Sequence, residues 1–550
     1  MITLLANVSS ASLVGVDGYP VVVEVHVANG LPSFRVVGLP DASCRESRDR
    51  VRAAITSSGL RWPQTRITVN LAPSGVRKGG AGLDLAIALG ILAADRQMDA
   101  AALRGKAFLG ELGLDGAVRT VPGTLPLVDA MREPVVVVAA SSAREASLVK
   151  HARPRPAESL KSLVATLKGE APWPEIATFT AERREPFELD LADVRGQPLA
   201  RLALEVAAAG EHHVLLVGPA GAGKTMLASR LPGLLPPLSP AQALEVAKIH
   251  SAAGLELAGS GLCLKPPFRH PHHSASAVSL IGGGGARLRP GEVSCAHRGV
   301  LFLDELAEFP ASVLDNLRQP LEEGRVVVCR ASASVAFPAR FLLVAAMNSC
   351  RCGGEGSSGS CRCTEAARVR YVGRVSGPLL DRFDLRVRVQ QPEVDALLAP
   401  RAGSGGESTA EVAARVARAR QLATERGLRV NAELPAGRMD EQAPLSPGAR
   451  RLLERRLREG LLSARGLDRV RRVALTIADL GCMQGRLDEE AVLMALALRG
   501  SGIFSQDTGL RRGDGISGSH PPFVSASLAA LRRAISKHGG AMGADRAVAS

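Results

Sequence analysis

The stretch VGPAGAGKT at residues 217–225 limits what this chain can fold into more than any other feature. It follows the apolar run HHVLL and leads into MLASRL, so the sequence predicts a strand, a glycine-rich turn and a helix. Its spacing is G-x-x-x-x-G-K-[S/T], in which backbone N–H groups surround phosphates, the lysine reaches the β and γ oxygens, and the hydroxyl binds Mg2+. We therefore expect ATP and Mg2+ as cofactors. The predicted nucleotide-binding residues are Gly218, Pro219, Ala220, Gly221, Ala222, Gly223, Lys224 and Thr225.

An acidic pair further along the chain supports this interpretation. In GVLFLDELAEF, the apolar run 300–303 precedes Asp304 and Glu305. Such a run is typical of a buried parallel strand, and open α/β sheets bind ligands at the carboxyl ends of their strands. Asp304 is therefore predicted to bind Mg2+ together with Thr225, and Glu305 to orient or deprotonate the attacking water. A carboxylate pair after a strand more often caps a helix, but downstream of a P-loop we favour catalysis.

Two more polar residues are candidates for the same chemistry. FLLVAAMN predicts a third buried strand that ends at Asn348, whose amide could contact the γ-phosphate. Arg382 lies in the short polar turn of SGPLLDRFDLRVRV, before another strand. It is either a surface partner of Asp381 or Asp384, or an arginine finger that reaches the ATP of a neighbouring subunit. The residues alone leave both possibilities open.

Charge and composition point to a polyanionic partner. The 550 residues carry a formal net charge of +14, which favours nucleic acid, although an arginine bias spread evenly over the surface would give the same number. The start lacks the pattern of a secretory signal, and no apolar stretch reaches the roughly 18 residues that span a bilayer. Nine cysteines, an odd number, are more typical of a reducing compartment than of a disulfide framework. We expect a cytoplasmic protein without a membrane segment.

Three local patterns predict further binding sites or surfaces. The spacing C-x-C, eight residues, C-x-C predicts a structural zinc site, the alternative being a reduced surface loop or a redox-sensitive pair. The histidines of FRHPHHSAS are expected in a loop near a ring pore or subunit interface rather than at a metal. The arginine-rich helix at 411–426 is expected to be a solvated face. The zinc ligands are Cys350, Cys352, Cys361 and Cys363, and the tentative DNA contacts, in a glycine-rich loop, are Arg287 and Arg289.

The pattern along the chain predicts an α/β protein of three domains. They are an N-terminal α/β domain, a central P-loop domain with a parallel sheet, and a C-terminal helical bundle. A proline-rich linker joins the first two, and a polar, glycine-rich tail, expected to be disordered, follows the third. The predicted ranges are 1–165 for the N-terminal domain, 166–189 for the linker, 190–398 for the ATPase core with its cysteine cluster at 350–363, 410–502 for the helical lid and 503–550 for the tail.

The order of these motifs resembles a known family. Together with LRQPLEEGRVVVCRA and LSARGLDRVRRVALTIADL, they are similar to the YifB/ComM family of magnesium-chelatase-like AAA+ ATPases. The N-terminal stretch, with LPSFRVVGLPDASCRESRD, is similar to that family's first domain, which shares the fold of the Lon proteolytic domain. The Lon Ser–Lys dyad is not expected here, because VRKGGAGLDLA has Gly and Ala where that serine would stand. The likeness covers residues 1 to about 500.

The resemblance implies roles for individual residues. Asn348 would be sensor 1, Arg382 the finger acting on a neighbour's nucleotide, and Arg465 sensor 2, although Arg469 and Arg472 lie on the same or adjacent helical turns. The 218–225 loop would be Walker A, Asp304 and Glu305 would be Walker B, and Val194 and Gly196 would border the adenine.

The resemblance also implies an assembly and an activity. Members are taken to form hexameric rings, and one branch is a DNA helicase that drives branch migration in homologous recombination during natural transformation. We therefore expect a hexameric, ATP-driven DNA motor that acts on branched or single-stranded DNA without sequence preference. The alternative is a magnesium-chelatase-type ATPase that remodels a protein or inserts a metal.

Overall fold

The computed structural model describes residues 4–74, 78–176, 189–257, 262–284, 288–330, 333–353, 361–392, 398, 406–482 and 486–500. Half of the predicted linker, Arg287 and the tail from 503 to 550 lie outside these residues. The predicted fold class is confirmed, because the described chain combines α/β units, one of them built on a parallel sheet, with a helical C-terminal region.

The N-terminal unit is a seven-stranded sheet with the order β3-β4-β2-β1-β5-β8-β9. The long strands β1, β2 and β4 pair antiparallel, whereas β1, β5, β8 and β9 run parallel. Helix α2 is buried on every side because its sequence, DLAIALGILAA, is apolar around its whole circumference. RITVNLA forms strand β4, and β6 and β7 form a hairpin that turns at Leu114–Asp115–Gly116. The strands are β1 Leu4–Val14, β2 Asp17–Ala28, β3 Ser33–Val37, β4 Arg66–Ala72, β5 Lys106–Phe108, β6 Glu111–Leu112, β7 Val118–Arg119, β8 Val135–Ala139 and β9 Arg153–Ala157, and the helices are α1 Ala42–Ser57, α2 Asp84–Ala94, α3 Thr124–Asp129, α4 Ala143–Ala146 and α5 Leu160–Leu167.

The central unit is built on a five-stranded sheet with the order β11-β14-β17-β10-β18, and all four pairings are parallel. Its three middle strands are fully buried apolar runs, as expected for a sheet covered on both faces. The strands are β10 Val214–Val217, β11 Phe268–Arg269, β12 Gly282–Gly283, β13 Arg289–Pro290, β14 Val300–Leu303, β15 Arg325–Arg330, β16 Ala333–Pro338, β17 Leu342–Met347 and β18 Leu385–Arg388. The helices are α6 Pro198–Gly210, α7 Lys224–Ala228, α8 Leu231–Leu234, α9 Pro240–Ala253, α10 Ala277–Ile281, α11 Glu292–Cys295, α12 Ala311–Asp315, α13 Arg318–Glu323, α14 Glu365–Val372 and α15 Gly377–Leu380.

Helix α9 joins the N-terminal unit to the central one. The N–H of Gly123 donates to the carbonyl of Ser251 over 2.9 Å, and the Ser251 hydroxyl donates to Glu145. Lys248 on the same helix is ion-paired with Asp129. These contacts place the N-terminal sheet against the ATPase core.

The C-terminal helices pack against α6 of the core and share its apolar cluster. Helix α16 begins at a capping box in which Ser408 and Glu411 satisfy each other's backbone N–H groups. The helices are α16 Thr409–Glu425, α17 Met439–Gln442, α18 Pro447–Arg458, α19 Ala464–Leu480 and α20 Glu489–Leu498. Among the residues that the structure describes, none of the helices has both the length and the apolar character needed to cross a bilayer.

The expectation that the arginine-rich helix is a solvated face is wrong for part of α16. Arg415 is only 8% exposed, and its guanidinium contacts the buried Glu205 over 2.7 Å and Glu407 over 2.6 Å. Arg420 donates to the carbonyl of Ala208 over 2.7 Å. These side chains face α6, because positions 412, 416 and 419 form the apolar stripe of the helix and carry the neighbouring arginines inwards.

We predict that Arg415→Ala destabilises the protein strongly. It leaves Glu205 as an uncompensated charge in a buried position, a change that costs about 3–5 kcal/mol. Urea or thermal denaturation of the full chain measures the effect. Arg450→Ala is the matched control, since Arg450 is 75% exposed and pairs with Glu454 on its own helix, an interaction worth about 0.5 kcal/mol. Equal losses in the two variants would contradict the assigned role of Arg415.

Candidate active site

The glycine-rich turn lies between β10 and α7, where strong local constraints shape it. A Cβ atom at Gly218 would lie 2.0 Å from the carbonyl oxygen of Val389, so only glycine fits there. Gly221 and Gly223 have positive φ angles of 74° and 85°, in the left-handed region that favours glycine. The sequence thus folds into a tight turn that ends at Gly223, where α7 begins.

The ammonium group of Lys224 lies inside this turn. It donates to the carbonyls of Gly218 over 2.8 Å and Pro219 over 2.7 Å, and to Oδ1 of Asn348 over 3.0 Å. Burial lowers the pKa of Lys224, and the negative charge of Asp304 opposes that shift only in part. The structure therefore brings together the predicted Walker A lysine, the Walker B aspartate and the predicted γ-phosphate sensor.

The two predicted Mg2+ ligands are also neighbours. The hydroxyl of Thr225 donates to Oδ2 of Asp304 over 2.6 Å, and the N–H of Glu305 donates to Oδ1 of the same carboxylate over 2.9 Å. A hydroxyl and a carboxylate are oxygen ligands of the kind that Mg2+ prefers, with phosphates and water completing its shell. The residues present thus fit a magnesium–triphosphate.

Glu305 is held in an unusual conformation. Its φ angle is 52°, in the left-handed region, although it is not a glycine. Its Oε2 atom lies 2.9 Å from Nδ1 of His273. From the sequence, this histidine is expected near a ring pore or subunit interface, with no role at the predicted catalytic carboxylate. No sequence signal points to the contact, because it joins two loops that are far apart along the chain.

The segment predicted to border the adenine also reaches the turn. Val194 is buried and Gly196 has a φ angle of 64°. The next residue, Gln197, donates from Nε2 to the carbonyl of Ala222 over 2.6 Å. Gln197, which no sequence motif singles out, thus ties this segment to the phosphate-binding turn.

Arg382 lies at the opposite edge of the sheet. Strand β18 is parallel to β10, with Val214 beside Leu385 and Val217 beside Arg388. Arg382 precedes β18 and the glycine-rich turn follows β10, so four residues of extended chain, about 13 Å, separate the two edges. The structure does not bring Arg382 together with the Lys224 of its own chain.

Arg382 does not form the surface ion pair with Asp381 or Asp384 that was considered above. Arg382 is paired with Glu322, whereas Asp381 pairs with Arg386 over 3.4 Å and Asp384 with Arg469 over 3.4 Å. Burial alone would raise the pKa of Asp384, but the contact with His212 and the charge of Arg469 hold it well below its ordinary value.

The three sensor 2 candidates occupy different environments. Arg469 contacts Asp384, and Arg472 donates to the carbonyl of Leu434 over 2.9 Å. Arg465 is exposed. Burial lowers the pKa of Arg382, and the positive charges of Arg469, Arg465 and Arg318 lower it further. The candidates at 465 and 469 therefore stand close to the predicted finger.

The four cysteines of the C-x-C pairs come together. Their sulfur atoms all lie within 4.8 Å of one another, and Cys350 Sγ lies 3.3 Å from Cys352 Sγ and 3.6 Å from Cys361 Sγ. Sulfurs bound tetrahedrally at about 2.3 Å from zinc are about 3.8 Å apart, close to these separations. The cluster also touches the nucleotide site, because the carbonyl of Gly353 accepts from the N–H of Ala220 over 3.2 Å.

Of the two predicted DNA contacts, only Arg289 lies within the described residues. It is exposed and pairs antiparallel with Gly283 at the base of the glycine-rich loop. Arg287 belongs to the part of this loop that is not described.

Comparison with known proteins defines the class. Residues 190–397 match the family "Magnesium chelatase, subunit ChlI", residues 23–141 match "Subunit ChlI of Mg-chelatase", and residues 406–499 match "Magnesium chelatase, subunit ChlI C-terminal". With the P-loop and the parallel sheet, these matches define a magnesium-chelatase-like AAA+ ATPase.

Relatives that match most of this chain identify its family within that class. An uncharacterized protein of Mycobacterium tuberculosis is 46% identical over 90% of this chain and 99% of its own. The competence protein ComM of Haemophilus influenzae is 42% identical over 86% and 94%, and the uncharacterized protein YifB of Salmonella typhimurium is 42% identical over 86% and 93%. The chain belongs to the YifB/ComM family.

Proposed function

We propose that this ATPase is a DNA motor that works as a hexameric ring, with helicase or branch-migration activity in homologous recombination or natural transformation. The observation that carries the proposal is the division of the site between the two edges of one sheet. Lys224, Thr225 and Asp304 lie at the carboxyl edge, while Arg382 lies at the amino edge. Each nucleotide would then be completed by the arginine of a neighbouring protomer.

The residues at the carboxyl edge have distinct tasks in this proposal. A Mg2+ ion held there would supply positive charge that offsets the charge of the phosphates. Lys224 binds the same phosphates, while Thr225 and Asp304 hold the ion through their oxygens. Glu305 orients the attacking water and accepts its proton.

The net charge of the chain and the name of one relative favour DNA as the partner. The net charge of +14 favours a polyanion, and the Haemophilus relative is named a competence protein. The exposed Arg289, paired with Gly283, suits contact with phosphates rather than with base edges. The runner-up is a chelatase-type remodeller of protein, favoured by the family matches named after a chelatase subunit.

We predict that forked or four-way DNA raises the rate of ATP hydrolysis and that added salt removes this stimulation. Phosphate contacts release counterions, so affinity falls steeply with salt, by about 10³-fold or more between 50 and 200 mM for a protein with several such contacts. Steady-state ATP turnover and four-way-junction migration measure the effect. Lys224→Ala is the control, and junction migration that survives in this variant would refute the motor. A rate indifferent to DNA would favour the chelatase-type alternative.

We predict that two inactive variants restore each other when mixed. Lys224→Ala and Arg382→Ala should each lower ATP turnover by about 10³-fold. In an equimolar mixed ring, about a quarter of the interfaces join an intact P-loop to an intact arginine, so a similar share of activity should return. Arg458→Ala, which removes an exposed arginine of α18, should leave turnover unchanged. Mixed rings of normal size that stay inactive would contradict a shared site.

We also propose that the four-cysteine cluster holds structural zinc. Four thiolates suit this soft, tetrahedral site, and the ion would fix the loop that places Gly353 against Ala220. Protein purified without chelator should carry about one zinc per chain, and Cys350→Ser should lower both zinc content and ATP affinity. Cys263→Ser, at an exposed cysteine outside the cluster, is the control. Wild-type protein that is zinc-free with all thiols reduced would contradict the proposal.

A further inference from the structure

A buried polar cluster joins the amino edge of the central sheet to the helical lid. His212 is 1% exposed and lies between α6 and β10. Its Nε2 atom lies 2.8 Å from the hydroxyl of Thr476 in the lid helix α19, and its Nδ1 atom lies 3.5 Å from Oδ2 of Asp384. The imidazole therefore bridges the lid and the short segment between α15 and β18, which also carries Arg382.

The chain around His212 leaves room for this bridge. A Cβ atom at Gly210 would lie 2.3 Å from Nε2 of His212 and 2.6 Å from the hydroxyl of Thr476, so a side chain at position 210 would displace the contact. The carbonyl of His213 accepts from the backbone N–H of Asp384 over 3.0 Å. The turn between α6 and β10 thus contacts the segment of Asp384 through both its backbone and a side chain.

The hydrogen bonds around Thr476 assign a proton to Nε2 of His212. The Thr476 hydroxyl donates to the carbonyl of Arg472 over 3.1 Å, and it accepts from the amide of Asn431 over 3.2 Å. A hydroxyl has a single hydrogen to donate, so His212 is the donor in its contact with Thr476. An unprotonated Nδ1 would then direct a lone pair at the carboxylate of Asp384, and the geometry therefore favours an imidazolium that is ion-paired with Asp384.

Asp384 also contacts an arginine of the lid. Its Oδ1 atom lies 3.4 Å from Nη1 of Arg469, so the carboxylate stands between cations from two different elements. Arg382, Asp384 and Arg469 line one pocket of about 320 Å³. Burial lowers the pKa of Arg382, and the charge of Arg469 lowers it further, because the two guanidinium groups repel each other. The carboxylate of Asp384 offsets this repulsion and allows both arginines to lie at the same edge.

We propose that His212 is a positioning residue for this edge: it fixes Asp384 against the lid and thereby sets the position from which Arg382 reaches the nucleotide of a neighbouring protomer. This inference rests on the proposed function, because it takes Arg382 to complete the neighbour's site. Buried ion pairs often stabilise a protein less than apolar residues of the same volume, so we assign these charges a role in position rather than in stability.

The test is steady-state ATP turnover by the full chain, alone and in mixed rings. His212→Gln keeps an N–H donor near the position of Nε2 but cannot carry the charge that faces Asp384. Alone, it should lower kcat by about 10- to 100-fold with the KM for ATP unchanged, because the arginine is misplaced while the P-loop of the same chain is intact. Ring size, measured in parallel, should not change.

The mixed rings show which side of the shared site His212 serves. Lys224→Ala protomers still offer a well-placed Arg382, so their mixture with His212→Gln should turn over ATP faster than the average of the two proteins measured separately. Arg382→Ala protomers offer no arginine, so their mixture with His212→Gln should show no such gain. A merely structural role of His212 would not produce this difference between the two mixtures.

The partner of His212 in the lid provides a second pair of variants. Thr476→Val removes the hydroxyl and should give the same pattern as His212→Gln, whereas Thr476→Ser keeps the hydroxyl and should keep kcat near the wild-type value. If His212→Gln does not fold, the mixtures made with Thr476→Val decide the question. His151→Gln is the control, since this histidine of the N-terminal unit contacts the carbonyl of Met131, and its kcat should be unchanged.

A gain with Arg382→Ala instead of Lys224→Ala would place His212 on the P-loop side and overturn the proposal. A wild-type kcat in a folded His212→Gln protein, or rings of normal size that gain with neither partner, would also overturn it. The mixture of Lys224→Ala with Arg382→Ala decides the shared site separately. If that mixture stays inactive in rings of normal size, the proposed function fails, and the role of His212 fails with it.

Discussion

The active site depends on three parallel strands that end at the same edge of one buried sheet. β14, β17 and β10 are adjacent, and each is apolar throughout, so the first polar residues after them emerge together at the carboxyl edge. The contacts of Lys224 with Asn348 and of Thr225 with Asp304 follow directly from that arrangement. Changing the register of any of the three strands would separate these side chains by a full residue step, about 3.3 Å.

Much of the carboxyl edge of the central sheet could be predicted, because the sequence patterns that define it each span only a few consecutive residues. Residues 300–303 form the expected strand, and a P-loop has a fixed spacing that reflects the geometry of its phosphates. The contacts of Gln197 and His273 could not be predicted, because they depend on how loops fold back across the sheet. The arginines of α16 that face α6 could not be predicted for a related reason. The number of charged residues in a helix does not show which face is buried, because that depends on the element packed against the helix.

Two loops approach the same turn from different strands. The cysteine loop after β17 reaches Ala220 through the carbonyl of Gly353, and the loop after β11 reaches Glu305 through His273. The first contact is made by backbone atoms and fixes the shape of the phosphate-binding turn. The second joins two side chains, with Nδ1 of His273 lying 2.9 Å from Oε2 of Glu305. The phosphate-binding turn is thus supported through the main chain, whereas Glu305 is contacted through a side chain.

The division of the site also restricts the symmetry of the proposed assembly. The P-loop and Arg382 lie at opposite edges of one sheet, so the surface that offers the nucleotide differs from the surface that offers the arginine. An isologous dimer uses one self-complementary surface, in which residue i meets residue j of the partner and j meets i, so it joins P-loop to arginine only when both lie on the same contact surface. A head-to-tail contact joins two different surfaces, and it closes into a ring when the rotation per protomer divides a full turn. The head-to-tail contact therefore gives every nucleotide in a closed ring an arginine from its neighbour without requiring both groups on one surface.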